Sequence, residues 1–204
     1  NLTFLIKPMG FKHTGLFPEQ ATNWAMMIDL IKNANRPIKV LNLFAYTGGA
    51  TVACTSAGAV VTHVDASKNM VDRCKQNLKL SGLEDKPVRY IVDDCKKFVE
   101  REIRRGNKYD AIIMDPPSYG RGPSGEMWKI EENLFDFVKL TKQVLSDNPL
   151  FVLINSYTTG LQPLVLRNIL QLCFGEGNID AYEVGIKCKD NLILPCGASG
   201  VKKW

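Results

Sequence analysis

The feature that most limits what this chain can become is an alternation. Short apolar runs bounded by turn residues follow one another with helical patterns between them. The runs are IKVLNLFA (38–45), AVVTHVDA (59–66), PVRYIVDD (87–94), YDAIIMD (109–115), PLFVLINS (149–156), IDAYEVGI (179–186) and NLILPC (191–196). Helical periodicity fills 18–35, 48–57, 67–81, 94–106, 128–147 and 160–175, where residues such as Leu134, Phe137, Val138 and Leu145 recur on one face. Strands alternating with helices imply a parallel sheet with right-handed crossovers. Parallel strands are buried on both faces, which accounts for the nearly unbroken apolar runs. Only the turn KCKDN separates the last two runs, so that pair is expected to be an antiparallel hairpin. Residues 1–17 read as short extended segments, and Pro18 stands at a natural helix start. The expectation is a single α/β domain over 1–204 with a mostly parallel seven-stranded sheet and an antiparallel last strand.

At 204 residues the chain can bury one substantial core. No apolar stretch approaches the 18 residues of a membrane span. The first residue is Asn and the first ten lack a signal-peptide pattern, so a fragment with a domain upstream is expected. Cysteines 54, 74, 95, 173, 188 and 196 are scattered without a C-x-x-C pair, which suggests free thiols in a reducing, cytoplasmic setting. With two histidines in the whole chain, a histidine-based metal site is not expected. The net charge is +5, and residues 68–108 carry an excess of five positive charges. Arg101, Arg104, Arg105 and Lys108 can form a face that attracts a phosphate polymer, or a solvated helix end favoured by the helix dipole.

In open α/β sheets ligands bind beyond the carboxyl ends of the strands. The first run ends in FAYTGGAT, where Gly48 and Gly49 turn into a helix whose N-terminus offers N–H groups. Neither G-x-G-x-x-G nor G-x-x-x-x-G-K-[ST] is present, which disfavours a nicotinamide-dependent oxidoreductase and a P-loop enzyme. The second run ends at Asp65, 17 positions after Gly48, where a carboxylate can accept both hydroxyls of a ribose or cap the next helix, with Ser67 as the rival cap. The third ends in VDDC: Asp94, or Asp93, can accept from an adenine amine while the Cys95 N–H donates to the ring, or either acid can serve as a cap. The fourth leaves through DPPSYGRG, a stiff exit that carries a carboxylate and a ring.

This order of strand ends resembles the class I S-adenosylmethionine (SAM)-dependent methyltransferases. DPPSY is similar to that family's acid-Pro-Pro-aromatic motif, with one extra residue before the ring. FKHTGLFPEQATNW (11–24), LNLFAYTGGATVA, DASKNMVDRCKQN, DPPSYGRGPSGEMWKIEE and LPCGASGVKKW together resemble a bacterial group that methylates large-subunit ribosomal RNA at cytosine C5 or guanine N7. The resemblance implies a Rossmann-like SAM methyltransferase fold, SAM as cofactor and RNA, ribosomal in origin, as partner, with no membrane or metal. It implies that Thr14, Phe17 and Gln20 reach over the methionine end of the cofactor, and that Phe44, Ala45, Tyr46 and Gly48 wrap it. Asp65, with Ala66 and Ser67, would hold the ribose, and Asp94 with Cys95 the adenine. The alternative reading of Phe17 and Phe44 is ordinary core packing.

For the reaction, Asp115 and the Pro116 carbonyl can accept from an amine and aim its lone pair, Pro117 keeps the corner rigid, and Tyr119 can stack on a base. Cytosine C5 would need a thiolate to attack C6. The C5 enzymes carry it after the fifth strand, where this chain reads INSYTTG. Cys196 in LPCGASG is the remaining late candidate, so the expected target is a nucleobase nitrogen. The loop GRGPSGEMWK reads as a mobile lid, in which Arg121 and Lys129 meet phosphate and Trp128 anchors the next helix or stacks. The rivals are a methyltransferase for a small molecule or protein amine, and a SAM-binding module without catalysis.

Overall fold

The computed structural model describes residues 1–7, 14–122, 125 and 127–204. Its strands are β1 (Lys39–Leu43), β2 (Val60–Asp65), β3 (Val88–Val92), β4 (Ala111–Met114), β5 (Tyr119–Arg121), β6 (Met127–Lys129), β7 (Phe151–Ser156), β8 (Ile179–Lys187) and β9 (Ile193–Lys203). Its helices are α1 (Ala21–Asn33), α2 (Gly49–Ser56), α3 (Lys68–Leu80), α4 (Cys95–Arg105), α5 (Ile130–Thr141) and α6 (Pro163–Phe174). Seven strands form one sheet in the order β3-β2-β1-β4-β7-β9-β8. The first five in that order run parallel, and β9 inserts antiparallel between β7 and β8. The expected doubly wound sheet with an antiparallel last strand is therefore present.

Alternation along each central strand assigns the two faces. Leu41, Leu43, Ile112, Met114, Val152 and Ile154 face the core under α4, α5 and α6, with Phe98, Phe137 and Leu170. Val40, Ala111, Ile113, Phe151 and Leu153 face the opposite core, with Met27 and Ile31 of α1 and Cys54 of α2. Every residue of β4 and β7 is buried. Chain order reverses between β1 and β4, and that switch point opens the crevice in which such sheets bind ligands.

Three local expectations change. Residues 123, 124 and 126 of the supposed lid lie outside the described residues, and so do 8–13. The flanks of the lid pair as a two-stranded ribbon, β5 with β6, and the helix starts at Ile130 rather than 128. The ribbon forms because Trp128 turns inward onto Phe44 and Phe137, with centroids at 5.0 and 5.4 Å. The helical pattern to 147 stops at Thr141, passes through a 3₁₀ turn at Lys142–Val144, and Leu145 bridges to Tyr109. Residues 18–20 form a 3₁₀ turn before α1. Residues 1–7 form no strand; the Leu5 N–H donates to Asn77 Oδ1 (2.8 Å) and the Thr3 N–H to Ser81 Oγ (3.0 Å), fastening the segment along α3.

Candidate active site

The carboxyl ends of β1, β2 and β4 open onto a cleft of about 530 Å³ lined by Phe17, Phe44, Tyr46, Asp65, Ala66, Asp115, Pro116, Pro117, Ser118 and Tyr157. Beneath it lies a smaller cavity of about 40 Å³ shared by Phe17, Gln20, Phe44, Ala45, Tyr46, Asp115 and Asn155. Asp65, expected at the ribose, and Asp115, expected at the reacting group, stand 50 positions apart in the chain and line one space.

Asp65 is fixed by its neighbours. Its Oδ2 accepts from the Tyr46 N–H and its Oδ1 from the Ser67 N–H, both at 2.8 Å. Burial pushes its carboxyl up, and those two N–H groups oppose the shift. A carboxylate has about four lone-pair directions, so two remain for ligand hydroxyls. Ser67 stands at the N-cap of α3, but its side chain makes no capping bond.

The FAYTGG turn is held in an unusual backbone. Phe44 and Tyr46 have φ of 53° and 49°, a region that costs non-glycine residues about 1–3 kcal/mol. Hydrogen bonds hold it: Phe44 N–H to Cys95 Sγ (3.2 Å), Ala45 N–H to the Val64 carbonyl (3.0 Å) and Tyr46 N–H to Asp65. Gly48 (φ 84°) is required twice over, by its left-handed backbone and because a Cβ would be driven into Cys74 Sγ. At Gly49 a Cβ would lie 2.6 Å from the Trp24 ring. Packing beneath the turn therefore requires both glycines. The Tyr46 hydroxyl is buried without a hydrogen-bond partner, a cost that a ligand group would relieve. With Asp65 beside it, this turn fits a polar nucleoside.

The third strand end is less open. Asp94 caps α4, its Oδ1 accepting from the Lys97 N–H at 2.9 Å, and Asp93 is ion-paired with Arg101. Neither lines the cleft. Cys95 Sγ is buried under Phe44, while its N–H is among the first four of the helix, which lack an intrahelical partner.

At the fourth strand end the Asp115 N–H donates to the Leu43 carbonyl (3.3 Å), Pro116 is buried and Pro117 is exposed. The Trp128 indole N–H donates to the Pro117 carbonyl at 2.7 Å, so Trp128 is an anchor. Ser118 Oγ meets Thr158 Oγ1 at 2.6 Å, latching this loop to the segment after β7. Burial pushes the Asp115 carboxyl up to about 7, the Glu19 carboxylate adds to the rise, and a hydrogen bond from Asn155 opposes it. A carboxyl poised near neutrality in a cleft is a mark of a functional site.

Several expected residues stand apart. Tyr119 is 51% exposed on β5, its hydroxyl pointing to Met127 Sδ at 3.2 Å, and it does not line the cleft. Thr14 is exposed, and its hydroxyl bonds the Leu16 carbonyl. Gln20 is buried, but its amide serves the protein: Nε2 donates to Tyr157 Oη (2.8 Å) and Oε1 accepts from Asn23 (2.7 Å). Part of the basic cluster is engaged: Arg101 is ion-paired with Asp93. Glu102, fully buried, accepts from Arg89 (3.3 Å) and Arg105 (3.1 Å), and Lys108 bonds the Gln143 carbonyl. The six cysteines are free. Among the described residues no cluster of His, Cys, Asp or Glu could hold a metal, and no helix is long and apolar enough to cross a membrane.

Sequence reasoning missed the support behind Asp115. Asn23 Nδ2 donates to Asn155 Oδ1 (3.2 Å) and Ser199 Oγ (2.9 Å), Ser199 donates to Asn155 (2.7 Å), and Tyr182 Oη donates to Asn23 (2.6 Å). Tyr157 was also missed. The available signal was the polar end, NSY, of an otherwise apolar fifth run.

A carboxylate facing a glycine turn at a sheet's switch point, with an acid-Pro-Pro corner opposite, defines a nucleoside-dependent transferase architecture. The comparisons give the family. Residues 9–161 match the model for S-adenosylmethionine-dependent methyltransferases, and the chain belongs to that family. It is 30% identical over 159 residues to ribosomal RNA large subunit methyltransferase K/L of Syntrophotalea carbinolica, covering 77% of this chain and 21% of the relative. Against ribosomal RNA large subunit methyltransferase I of Klebsiella pneumoniae it is 33% identical over 144 residues, covering 70% and 34%. The crystal structure of the SAM-dependent methyltransferase from Agrobacterium tumefaciens superposes with a TM-score of 0.93 at 35% identity, covering 99% of this chain and 67% of that one. The chain thus spans between about a fifth and two fifths of the length of curated relatives such as these.

Proposed function

We propose that this protein transfers a methyl group from SAM to a nitrogen of a nucleobase in ribosomal RNA. The observation that carries the reading is the single cleft in which Asp65 and the Asp115-Pro116-Pro117 corner face each other. When bound, SAM supplies an electrophilic methyl on a sulfonium. Asp65 would hold the ribose, and Phe44, Ala45 and Tyr46 would enclose the cofactor. Phe17 would close over its methionine end, beside Gln20 beneath. Asp94 and Cys95 would approach the adenine only from the edge of the site, since Asp94 already caps α4. Asp115 and the Pro116 carbonyl would accept from the target amine, and the stiff diproline would fix their direction. The raised Asp115 carboxyl can also take the proton that the methylated nitrogen releases.

The cysteines support nitrogen over cytosine C5. None lines the cleft among the described residues. Cys196 lies in a neighbouring pocket, its Sγ turned to the Leu194 carbonyl at 3.4 Å, and burial pushes its thiol up, away from the thiolate. The ribosomal RNA relatives support an RNA substrate, which together with free thiols fits a cytoplasmic enzyme. The test is transfer of labelled methyl from SAM to ribosomal RNA lacking the modification, using the longest natural chain that carries these residues, followed by nucleoside analysis. An N-methylated base is expected; a carbon-methylated pyrimidine, or no transfer to RNA, overturns the reading.

A further inference from the structure

Tyr157 has a position that the reading above leaves unused. It directly follows β7, the strand beside β4, and so stands at the same crest as Asp115. Its ring lies 5.3 Å from Phe17 at 34°. Its hydroxyl is held by Gln20 Nε2 at 2.8 Å. Gly197 makes room for it: a Cβ there would lie 2.9 Å from Tyr157 Cδ1 and 2.8 Å from the Ser156 carbonyl. The ring is thus fixed on three sides before any substrate arrives.

What it faces is also specific. Tyr157 shares the 530 Å³ cleft with Asp115, Pro116 and Pro117. It also borders a second pocket of about 270 Å³, walled by Ser156, Thr158, Gln162, Glu183 and Cys196. No other described residue lines both spaces. The acid-Pro-Pro-Ser loop is latched to this segment through Ser118 and Thr158. Tyr119, the ring that follows the prolines in sequence, is half exposed on the ribbon and turned to Met127.

Resting on the RNA reading, we propose that Tyr157, backed by Phe17, is the aromatic wall against which the target nucleobase lies, in place of Tyr119, with the rest of the nucleotide leaving toward the second pocket. An aromatic wall suits any base, because every base has a π-face, and the amine contacts at Asp115 and Pro116 add orientation.

The test compares Tyr157→Leu, Tyr157→Phe and Tyr119→Ala in methyl transfer to RNA, with calorimetry of S-adenosylhomocysteine binding alongside. Tyr157→Leu should raise KM for RNA about 5- to 150-fold while cofactor affinity stays within about threefold. Tyr157→Phe should stay within about threefold of wild type, and Tyr119→Ala should lose less than Tyr157→Leu. Equal losses for Leu and Phe, an unaltered KM in Tyr157→Leu, or a larger loss in Tyr119→Ala would each overturn the proposal. Ultraviolet cross-linking of wild-type protein to its RNA gives a measurement that needs no variant to fold. The adduct belongs on the peptide carrying Tyr157, and an adduct on Tyr119 alone counts against the proposal. Wild-type protein that methylates no RNA sinks the underlying reading as well; RNA methylation with an indifferent Tyr157 sinks only the wall.

Discussion

At Asp115, burial and the Glu19 carboxylate together outweigh the Asn155 hydrogen bond. The sign of the consequence follows directly. Below about 7 the carboxyl already holds a proton, so it is a weaker acceptor for the amine hydrogen and cannot take up the proton released on methylation; above that pH it can do both. The acid limb of the kcat/KM profile should therefore bend near pH 7, and Asp115→Asn should abolish the bend while keeping an acceptor oxygen. Asp115→Ala removes the orienting contact and should lower kcat about 10²-fold with cofactor affinity retained. The same raised value makes the ionised form a cost to folding as pH rises from 3.8 toward about 7, so Asp115→Asn should unfold at higher denaturant than wild type at pH 8. Asp115 was legible as a candidate from its place at the end of an apolar run before two prolines. Its environment was not, because Glu19 and Asn155 come from residues 96 positions before it and 40 after.

The β5–β6 ribbon and α4 show how packing adds to what an element says when read alone. GRGPSGEMWK has the glycines of a mobile lid, but Trp128 buries its ring between Phe44 and Phe137 and ties down the Pro117 carbonyl. Trp128→Phe keeps a ring and deletes one hydrogen bond, worth about 0.5–1.5 kcal/mol. Single-turnover kinetics should show a kcat loss of roughly 2- to 13-fold with little change in cofactor affinity. Along α4 the arginines read either as a phosphate-binding face or as a solvated helix end. Glu102, however, is buried and takes hydrogen bonds from Tyr109 (2.6 Å), Asn107 (2.8 Å), Arg105 and Arg89. Burial pushes its carboxyl up, but those donors outweigh it and hold the carboxyl below its ordinary value. Glu102→Ala should lower the unfolding free energy by about 1–3 kcal/mol in urea titration, because the buried Tyr109 hydroxyl loses its acceptor while the half-exposed arginines turn to solvent.

Across the whole molecule, one buried group reports on acid stability. His63 is fully buried in β2, its Nδ1 2.9 Å from Thr51 Oγ1 and its Nε2 without a partner. Burial lowers its pKa from 6.5 to about 3. The unfolded chain therefore binds a proton that the folded chain refuses. The stability linked to His63 is complete above pH 6.5 and is lost as pH falls from there toward about 3. At pH 5 the loss should be about 2 kcal/mol, measurable as a downward shift of the urea midpoint that a His63→Gln variant lacks.

By itself the sequence determined the sheet. Apolar runs of strand length, spaced by helical patterns, can bury their surface on both faces only as a doubly wound parallel sheet, and strand ends in such a sheet mark the site. Asp65, the glycine turn and the diproline corner follow from that geometry. The tertiary structure alone decided which rings line that cleft and which polar groups remain open to it. Tyr157 rather than Tyr119 reaches the cleft because Phe17, Gln20 and Gly197 converge on it from distant parts of the chain. Asp94 already accepts from the Lys97 N–H, Arg101 is paired with Asp93 and Arg105 with the buried Glu102. Local sequence encodes period and turn chemistry; it does not encode which side chains from other strands will compete for the same hydrogen bond or the same space.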